Sequence, residues 1–567
     1  MVDLMTAEGE NLQGQPWQVY PRPQMRRNSF LNLNGEWKFS ALPSNMGKSI
    51  LVPFCPESTL SGVGEHFAEG RSLCYQKQLV LPEGFSRGRV LLHIGAADQT
   101  CRVYINQLPV EGSQAKTYLS GYWNTTVDIT DGLRDGENEI CILCSDDLRK
   151  RSFPYGKQTL KRGGMWYTPV SGIWQTVWLE SVPETYIRKL NIENRGASVI
   201  ISTEPVLDGK VIVKDLGEFT LENGKVTISP PNPHFWSPED PYLYDFSVDT
   251  GDDRVESYFA LRTLEIKKIG NYQRLCLNGK PYFFHGLLDQ GYWPDGLFTP
   301  ATPKSYADDI LAMKKLGFNT LRKHIKVEPE EFYYQCDKLG MIVFQDMVNN
   351  GDYNFLRDTA LPTIGIQTLN DKNMHRDPAT RHAFLRGMEA TVNQLRNHPC
   401  ILYWTIFNEG WGQFDSDNVY HHLKAMDDTR WIDSTSGWFR CSQTDVDSRH
   451  VYFKPVRLKA GKKPLVLSEF GGYSYKPEGH VFNTEKTYAY GKFDNQAEFA
   501  AAVEKLYYNE VIPGAKTGLC AAIYTQVSDV EDETNGLLSY DRKVEKLNAE
   551  QMLPIANLLQ KAVMECK

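Results

Sequence analysis

The chain has no excess of positive charge: 62 Lys and Arg against 70 Asp and Glu leave it at −8. A nucleic-acid binder needs a basic face to displace counterions from phosphates, so that class is excluded. No run approaches the roughly 18 apolar residues of a membrane-spanning helix. The opening MVDLMTAEGENLQGQPWQVYPRPQ has no basic stretch followed by an apolar one, so no secretory signal is expected. Neither an internal repeat nor a low-complexity tract is present. Cysteine is sparse, scattered and odd in number at 11. That suits a reducing cytoplasm better than a disulfide framework. Cys141 and Cys144 form a CxxC inside the strand-like run NEICILCSDD. Residues three apart on a strand point to opposite faces, so the pair reads as structural.

What is present is a large, core-forming composition, with 41% hydrophobic and 12% aromatic residues over 567 positions. That length suggests about three domains. Residues 27–182 hold short strand candidates such as GEWKFS, RVLLHIG, TCRVYIN and ENEICILC, punctuated by Asn34-Gly35 and Asp135-Gly136 turns. Helical periodicity is almost absent, which predicts a jelly-roll β-sandwich over 1–183. Residues 184–267 continue in strands at smaller scale, as in an immunoglobulin-like sandwich. The proline-rich PPNPHFWSPEDP serves there as a rigid connection. From 268 to the end, apolar runs alternate with helical stretches. Eight strand candidates follow in order: 282–288, 318–324, 341–347, 401–409, 431–436, 450–453, 465–470 and 521–529. Eight βα units predict a (β/α)8 barrel, giving a multidomain β plus α/β architecture.

Such a barrel builds its site at the C-terminal ends of its strands. The polar residues there are His285 and Asp289, Arg322 and His324, Asp346, Asn408-Glu409, Ser468-Glu469, and Gln526 and Asp529. Glu409 and Glu469 each close a buried apolar run, where an unpaired charge is expensive. Two such glutamates, on strands four and seven, point to paired-carboxylate chemistry rather than two separate ion pairs.

The runs LRNHPCILYWTIFNEGWG, FNTLRKHIKVEPEEFYYQCDKLGMIVFQDM and PLVLSEFGGY resemble glycoside hydrolase family 2, the β-galactosidase, β-mannosidase and β-glucuronidase family. LNGEWKFS and GGMWYTPVSGIWQTVWLESV resemble its N-terminal domain, and YFALRTLEIKK and LNGKPYFFHG the entry to its barrel. The resemblance spans nearly the whole chain. It implies a retaining exo-hydrolase with Glu409 as acid/base and Glu469 as nucleophile, the two carboxyls about 5–5.5 Å apart. It implies that Asn408 meets the sugar 2-hydroxyl, that Arg322 holds the nucleophile ionised, and that His324 lies near the sugar. No cofactor and no resident metal are expected.

Other residues leave two readings open. Asp289 either accepts from sugar hydroxyls or caps its loop. Asp346 either meets the sugar or orients Arg322. Trp438, Tyr452 and Tyr524 either wall the pocket or fill the barrel core. The cluster Asp529, Glu531, Asp532 and Glu533 reads as a solvated loop in preference to a hard-cation site. In the glucuronidases of this family an Asn-x-Lys clamps the substrate carboxylate. Here Asn535 is present but Leu537 stands at the lysine position, which disfavours a glucuronide and leaves Arg440 or Lys454 as alternative cations. Trp293 and Asp295, in LLDQGYWPDG, are expected to reshape the pocket. A β-galactoside-like glycone is the first expectation. An α-L-arabinopyranoside, a furanoside, a glucuronide or galacturonide, and a non-catalytic glycan-binding role are the alternatives. The expected partner is carbohydrate, with a homo-oligomer possible.

Overall fold

The computed structural model describes residues 4–43, 47–110, 116–363, 366 and 371–565. Its N-terminal part is a sandwich of antiparallel sheets. One sheet runs Phe30–Asn32, Val177–Val182, Arg89–Ile94 and Thr125–Asp128. The facing sheet is built on Gly35–Leu42, Ser72–Val80, Glu137–Ser145 and Thr100–Ile105. Strict alternation sets the inner face: Asn138, Ile140, Ile142 and Cys144 point in. Cys141 therefore faces away from Cys144, and its Sγ lies 3.6 Å from that of Cys74 on the neighbouring strand.

A second sandwich follows. Lys189–Asn194, Val199–Glu204 and Lys225–Ile228 form one sheet, and Gly209–Val213, Gly217–Leu221, Tyr244–Asp249 and Arg254–Phe259 the other. It is tied to the C-terminal unit by buried polar anchors. The Arg262 guanidinium donates to Pro399 O at 2.7 Å and Ile401 O at 3.0 Å. Trp236, in the proline-rich connection, donates through Nε1 to Asp337 O at 2.8 Å.

The C-terminal part is an eight-stranded parallel barrel. Its strands are β1 (Phe284–Asp289), β2 (Thr320–Lys323), β3 (Ile342–Asp346), β4 (Ile401–Asn408), β5 (Trp431–Ser436), β6 (Asp447–Val451), β7 (Leu465–Gly471) and β8 (Leu519–Thr525). The hydrogen-bonded order is β5-β4-β3-β2-β1-β8-β7-β6, so the ladder is open only between β5 and β6. Serines bridge that seam: Ser436 lies 3.3 Å from Ser448 and donates to Ser468 at 3.0 Å. Every residue of β4 is buried, as both faces of a parallel strand must be. The helix Pro378–Leu395 that precedes it starts on an Asp377 side-chain cap with Pro at the first turn. All eight strand candidates correspond to barrel strands. β6 begins at Asp447 rather than 450, because its first residues are polar and carry no apolar signal, and β8 runs from Leu519 to Thr525 rather than over 521–529. Among the described residues no helix is long and apolar enough to cross a membrane.

Two expectations are corrected. The acidic cluster is not solvated: Asp529, Glu531, Asp532 and Glu533 are each no more than 4% exposed. Asp529 is paired to Lys546 through both oxygens, at 2.7 and 2.8 Å. Glu531, Asp532 and Glu533 fasten the first sandwich's loop to the barrel, through Thr168 N, Arg162 and the Tyr167 hydroxyl respectively. Trp293 and Asp295 do not shape the pocket. Asp295 is fully buried, accepting from the Thr6 backbone and hydroxyl at 2.9 and 2.5 Å. Trp293 is covered by the Arg542 guanidinium, 4.0 Å from its ring centre. GYWPDG is an anchor for the N-terminal segment.

Candidate active site

Arg322, on β2, organises the barrel mouth. Its side chain is 1% exposed and every nitrogen is used. Nε donates to Asp346 at 3.0 Å, Nη1 to Glu469 and Ser468 O at 3.0 Å each, and Nη2 to Asn408 Oδ1 at 2.8 Å. One planar fork thus fixes side chains from β3, β4 and β7. The amide of Asn408 is held with its NH2 turned away from the arginine.

Glu469 lies within β7, with its side chain 6% exposed. Besides Arg322 it accepts the Tyr452 hydroxyl at 2.6 Å, and His450 Nδ1 is 3.5 Å away. Burial pushes its carboxyl up, but His450, Arg322 and His324 together with the Tyr452 hydrogen bond outweigh that and bring it down to about 2. It is an ionised carboxylate at neutral pH. Burial and the Glu469 charge hold the Tyr452 hydroxyl well above its usual range, so it donates.

Glu409 follows β4 directly, with φ at +53°. A left-handed conformation costs a non-glycine residue about 1–3 kcal/mol, and such strain collects where a side chain must be aimed. The turn is locked behind it by Gly410, where a Cβ would strike Phe439 at 2.0 Å. Glu409 Oε1 lies 2.8 Å from His450 Nδ1, and its side chain keeps 15% exposure, more than Glu469. Glu409, Glu469 and His450 bring one ligating atom each within 4.8 Å of one another. This is the one such set of His, Cys and carboxylate groups among the described residues compact enough to ligate an ion. Each member is already engaged: Glu469 by Arg322 and Tyr452, Glu409 by His450.

The structure joins Glu409, Glu469, Asn408, Arg322, His324, Asp346 and Tyr452 in one network. Asp346 spends both oxygens on protein, accepting from Arg322 and meeting His324 Nδ1 at 2.8 Å. Burial lowers the His324 imidazole below its usual value, Asp346 opposes this and the nearby Lys157 adds to it. The ring is therefore neutral, with Nδ1–H directed at Asp346 and Nε2 left as an acceptor. Trp438 is half-buried, its ring 5.6 Å from that of His450 and its indole N–H without a partner among the described residues. Two expected residues stand apart. Asp289 is committed to Lys323 at 2.7 Å and to Gly291 N at 2.9 Å. Tyr524 is fully buried, packs on Phe470 and accepts from Tyr473 N at 3.2 Å.

Two neighbours of the site are absent from the strand-end residues. His450 lies on β6 and Tyr452 directly follows the strand, two positions on, and that alternate spacing is a usable signal. Lys157 comes from the first sandwich, on the loop between strands Glu137–Ser145 and Gly172–Ile173. Nothing local in the sequence connects it to the barrel.

The model for "Glycosyl hydrolases family 2, TIM barrel domain" matches residues 267–494, and that for "Glycosyl hydrolases family 2" matches 187–262. A putative beta-glucuronidase of Formosa agariphila is 24% identical over 61% of this chain and 40% of its own length. A beta-galactosidase of Thermoanaerobacter pseudethanolicus is 23% identical over 80% of this chain and 60% of its own. The chain thus spans less than two thirds of either relative. The solved beta-glucuronidase of an uncultured Clostridium sp. superposes with a TM-score of 0.71 at 16% identity, covering 96% of this chain and all of that one. The barrel and the second sandwich match their models in the expected order, and the chain belongs to glycosyl hydrolases family 2.

Proposed function

We propose that the protein is a retaining exo-glycoside hydrolase that works through a covalent glycosyl-enzyme. The carrying observation is the approach of Glu409 and Glu469, whose nearest facing oxygens come within 4.8 Å. Retaining enzymes hold their carboxyls about 5–5.5 Å apart, whereas inverting enzymes need roughly 6.5–9.5 Å to admit a water between them. In this reading Glu469, ionised and aimed by Arg322 and Tyr452, attacks the anomeric carbon. The C1–O bond breaks as Glu409 gives its proton to the departing oxygen. Glu409 then takes a proton from water, whose oxygen attacks C1, and Glu469 leaves as a carboxylate. Asn408, fixed by Arg322, offers its NH2 to the 2-hydroxyl, and His324 Nε2 accepts from a ring hydroxyl. Trp438 and the Tyr452 ring bound the sugar. Asp346 acts by orienting Arg322 and His324. A β-galactoside-like glycone, as the parent sugar or its uronide, is the first reading.

The chain is read as three units, 1–183, 184–267 and 268–567, the first a jelly roll. We read the location as cytoplasmic from the scattered, odd-numbered cysteines of the sequence. Assembly as a homo-oligomer is left to gel filtration. Proton NMR during hydrolysis of aryl β-glycosides tests the mechanism. The product should first appear as the β anomer, and Glu469→Gln should abolish turnover. An α anomer formed first, or full activity in the variant, would refute the assignment.

A further inference from the structure

The loop that carries Lys157 is pinned over the barrel on three sides. Tyr155 N donates to Asn349 O at 3.1 Å, and the Tyr155 hydroxyl to Gly351 O at 2.7 Å, both beyond β3. Gly156, at φ +63°, passes so close that a Cβ there would lie 3.2 Å from Ile325 O and 2.6 Å from the Tyr122 hydroxyl. That places Lys157 beside the residue that follows His324. On the far side Tyr167 N donates to Lys157 O at 3.0 Å, while the Tyr167 hydroxyl reaches Glu533 beyond β8. The loop is built to hold Lys157 in one place.

Lys157 is only 9% exposed, with Nζ 5.9 Å from the centre of the Trp166 ring. Among the described residues its ammonium has no hydrogen bond and no carboxylate oxygen within 4.0 Å. Its charge nonetheless acts on His324 and on Glu533, which in turn feels Glu469. A buried charge without a partner is expensive. The carboxylates that could supply one are already engaged. Asp346 is held by Arg322 and His324, Glu469 by Arg322 and Tyr452, Glu409 by His450, and Glu533 by Tyr167 and Asn535. The other cations nearby are spent or remote. Arg162 pairs with Glu531 and Asp532, while Arg440 and Lys454 are exposed. Leu537 is 1% exposed and packed in the apolar core.

We propose that Lys157 determines specificity by binding the carboxylate of a uronic-acid glycone. This rests on the hydrolase reading and names the substrate class for the same site. With C1 at Glu469 and a hydroxyl on His324 Nε2, the carboxylate at the far side of the ring meets the unpaired ammonium. The charge that the site leaves open is then neutralised by substrate. The cation reaches the pocket from the sandwich loop rather than from the barrel position that Leu537 occupies.

The test compares kcat/KM on 4-nitrophenyl β-D-galacturonide, β-D-glucuronide, the parent β-D-galactoside and β-D-glucoside, and the galactoside 6-sulfate. It uses the full-length enzyme, Lys157→Met and Lys157→Arg. The wild type should favour one uronide over its parent sugar. Lys157→Met, which keeps an apolar stem against Trp166, should cut that uronide-to-neutral ratio by ~10–100-fold, the worth of one charge-assisted hydrogen bond. Lys157→Arg should restore part of it. Cleavage of the neutral galactoside with no uronide activity, or a ratio unchanged in Lys157→Met, overturns the inference and leaves the hydrolase reading standing. Preference for the 6-sulfate overturns the carboxylate assignment. Failure to cleave any glycoside overturns the hydrolase reading itself. Should Lys157→Met not fold, inhibition of the wild type decides: free uronic acid should bind at least tenfold tighter than its parent hexose, and equal or weaker binding refutes the proposal.

Discussion

Replacing Glu409 by Gln separates the two steps assigned to it. The change is isosteric, and the amide can still meet His450 Nδ1, which lies 2.8 Å from the carboxyl oxygen. The Arg322 fork touches Asp346, Asn408 and Glu469 but not Glu409, so the nucleophile keeps its surroundings. What is lost is proton transfer, worth about 10²–10⁴-fold, or ~2.7–5.4 kcal/mol of barrier. The loss must depend on the leaving group. An alkyl or sugar aglycone needs the proton and should suffer the full loss. A dinitrophenolate leaves without it, so glycosyl transfer to Glu469 should be nearly unimpaired. Breakdown of the glycosyl-enzyme still needs a base, so it should slow on every substrate. Stopped-flow absorbance on a dinitrophenyl glycoside should therefore show a burst of about one phenolate per active site, then slow turnover. Equal losses on good and poor leaving groups, with no burst, would mean that Glu409 is not the acid/base.

Two further outcomes follow from individual contacts. Tyr452→Phe removes a 2.6 Å hydrogen bond to Glu469, a bond to a charged group worth ~1.5–3 kcal/mol. This hydrogen bond favours the carboxylate, so its loss raises Glu469 from about 2. The nucleophile then protonates at higher pH, and the acid limb of the kcat/KM profile should move up by about one to two units; an unmoved limb would show that the contact does not tune the nucleophile. Lys546→Met leaves Asp529 buried with no cation after losing bonds of 2.7 and 2.8 Å. It should destabilise the loop that latches the sandwich to the barrel by about 3–5 kcal/mol, seen as a lower urea midpoint for that part of the chain, and an unchanged midpoint would show the pair to be dispensable.

The glutamates were legible because a parallel strand is buried on both faces. An acid that ends the run ILYWTIFNE or LVLSEF stands out where a solvated one would not. Arg322, His324, Asp346 and Asn408 shared that advantage, each lying at or beside a strand end. Strand-end position says nothing, however, about which carboxylates are already spent. Asp289 and Asp346 look alike in sequence, and only the structure shows one bound to Lys323 and the other to Arg322 and His324. The acidic cluster Asp529–Glu533 failed for a related reason. Charge density suggests solvent unless the partners are known, and Thr168, Arg162 and Tyr167 lie more than 350 positions away. His450 was within reach through its spacing from Tyr452.

Sequence alone determined the order of sandwich, sandwich and barrel, because hydrophobic periodicity is local and survives without coordinates. It also determined the two facing carboxylates, because a strand end in a barrel has a known place. Tertiary structure decided the rest of the pocket. The separation of Glu409 and Glu469, the Arg322 fork and the Lys157 ammonium all depend on distances between segments far apart along the chain. Electrostatics in a buried site depends on which charges are left unpaired, and pairing is a property of the folded molecule.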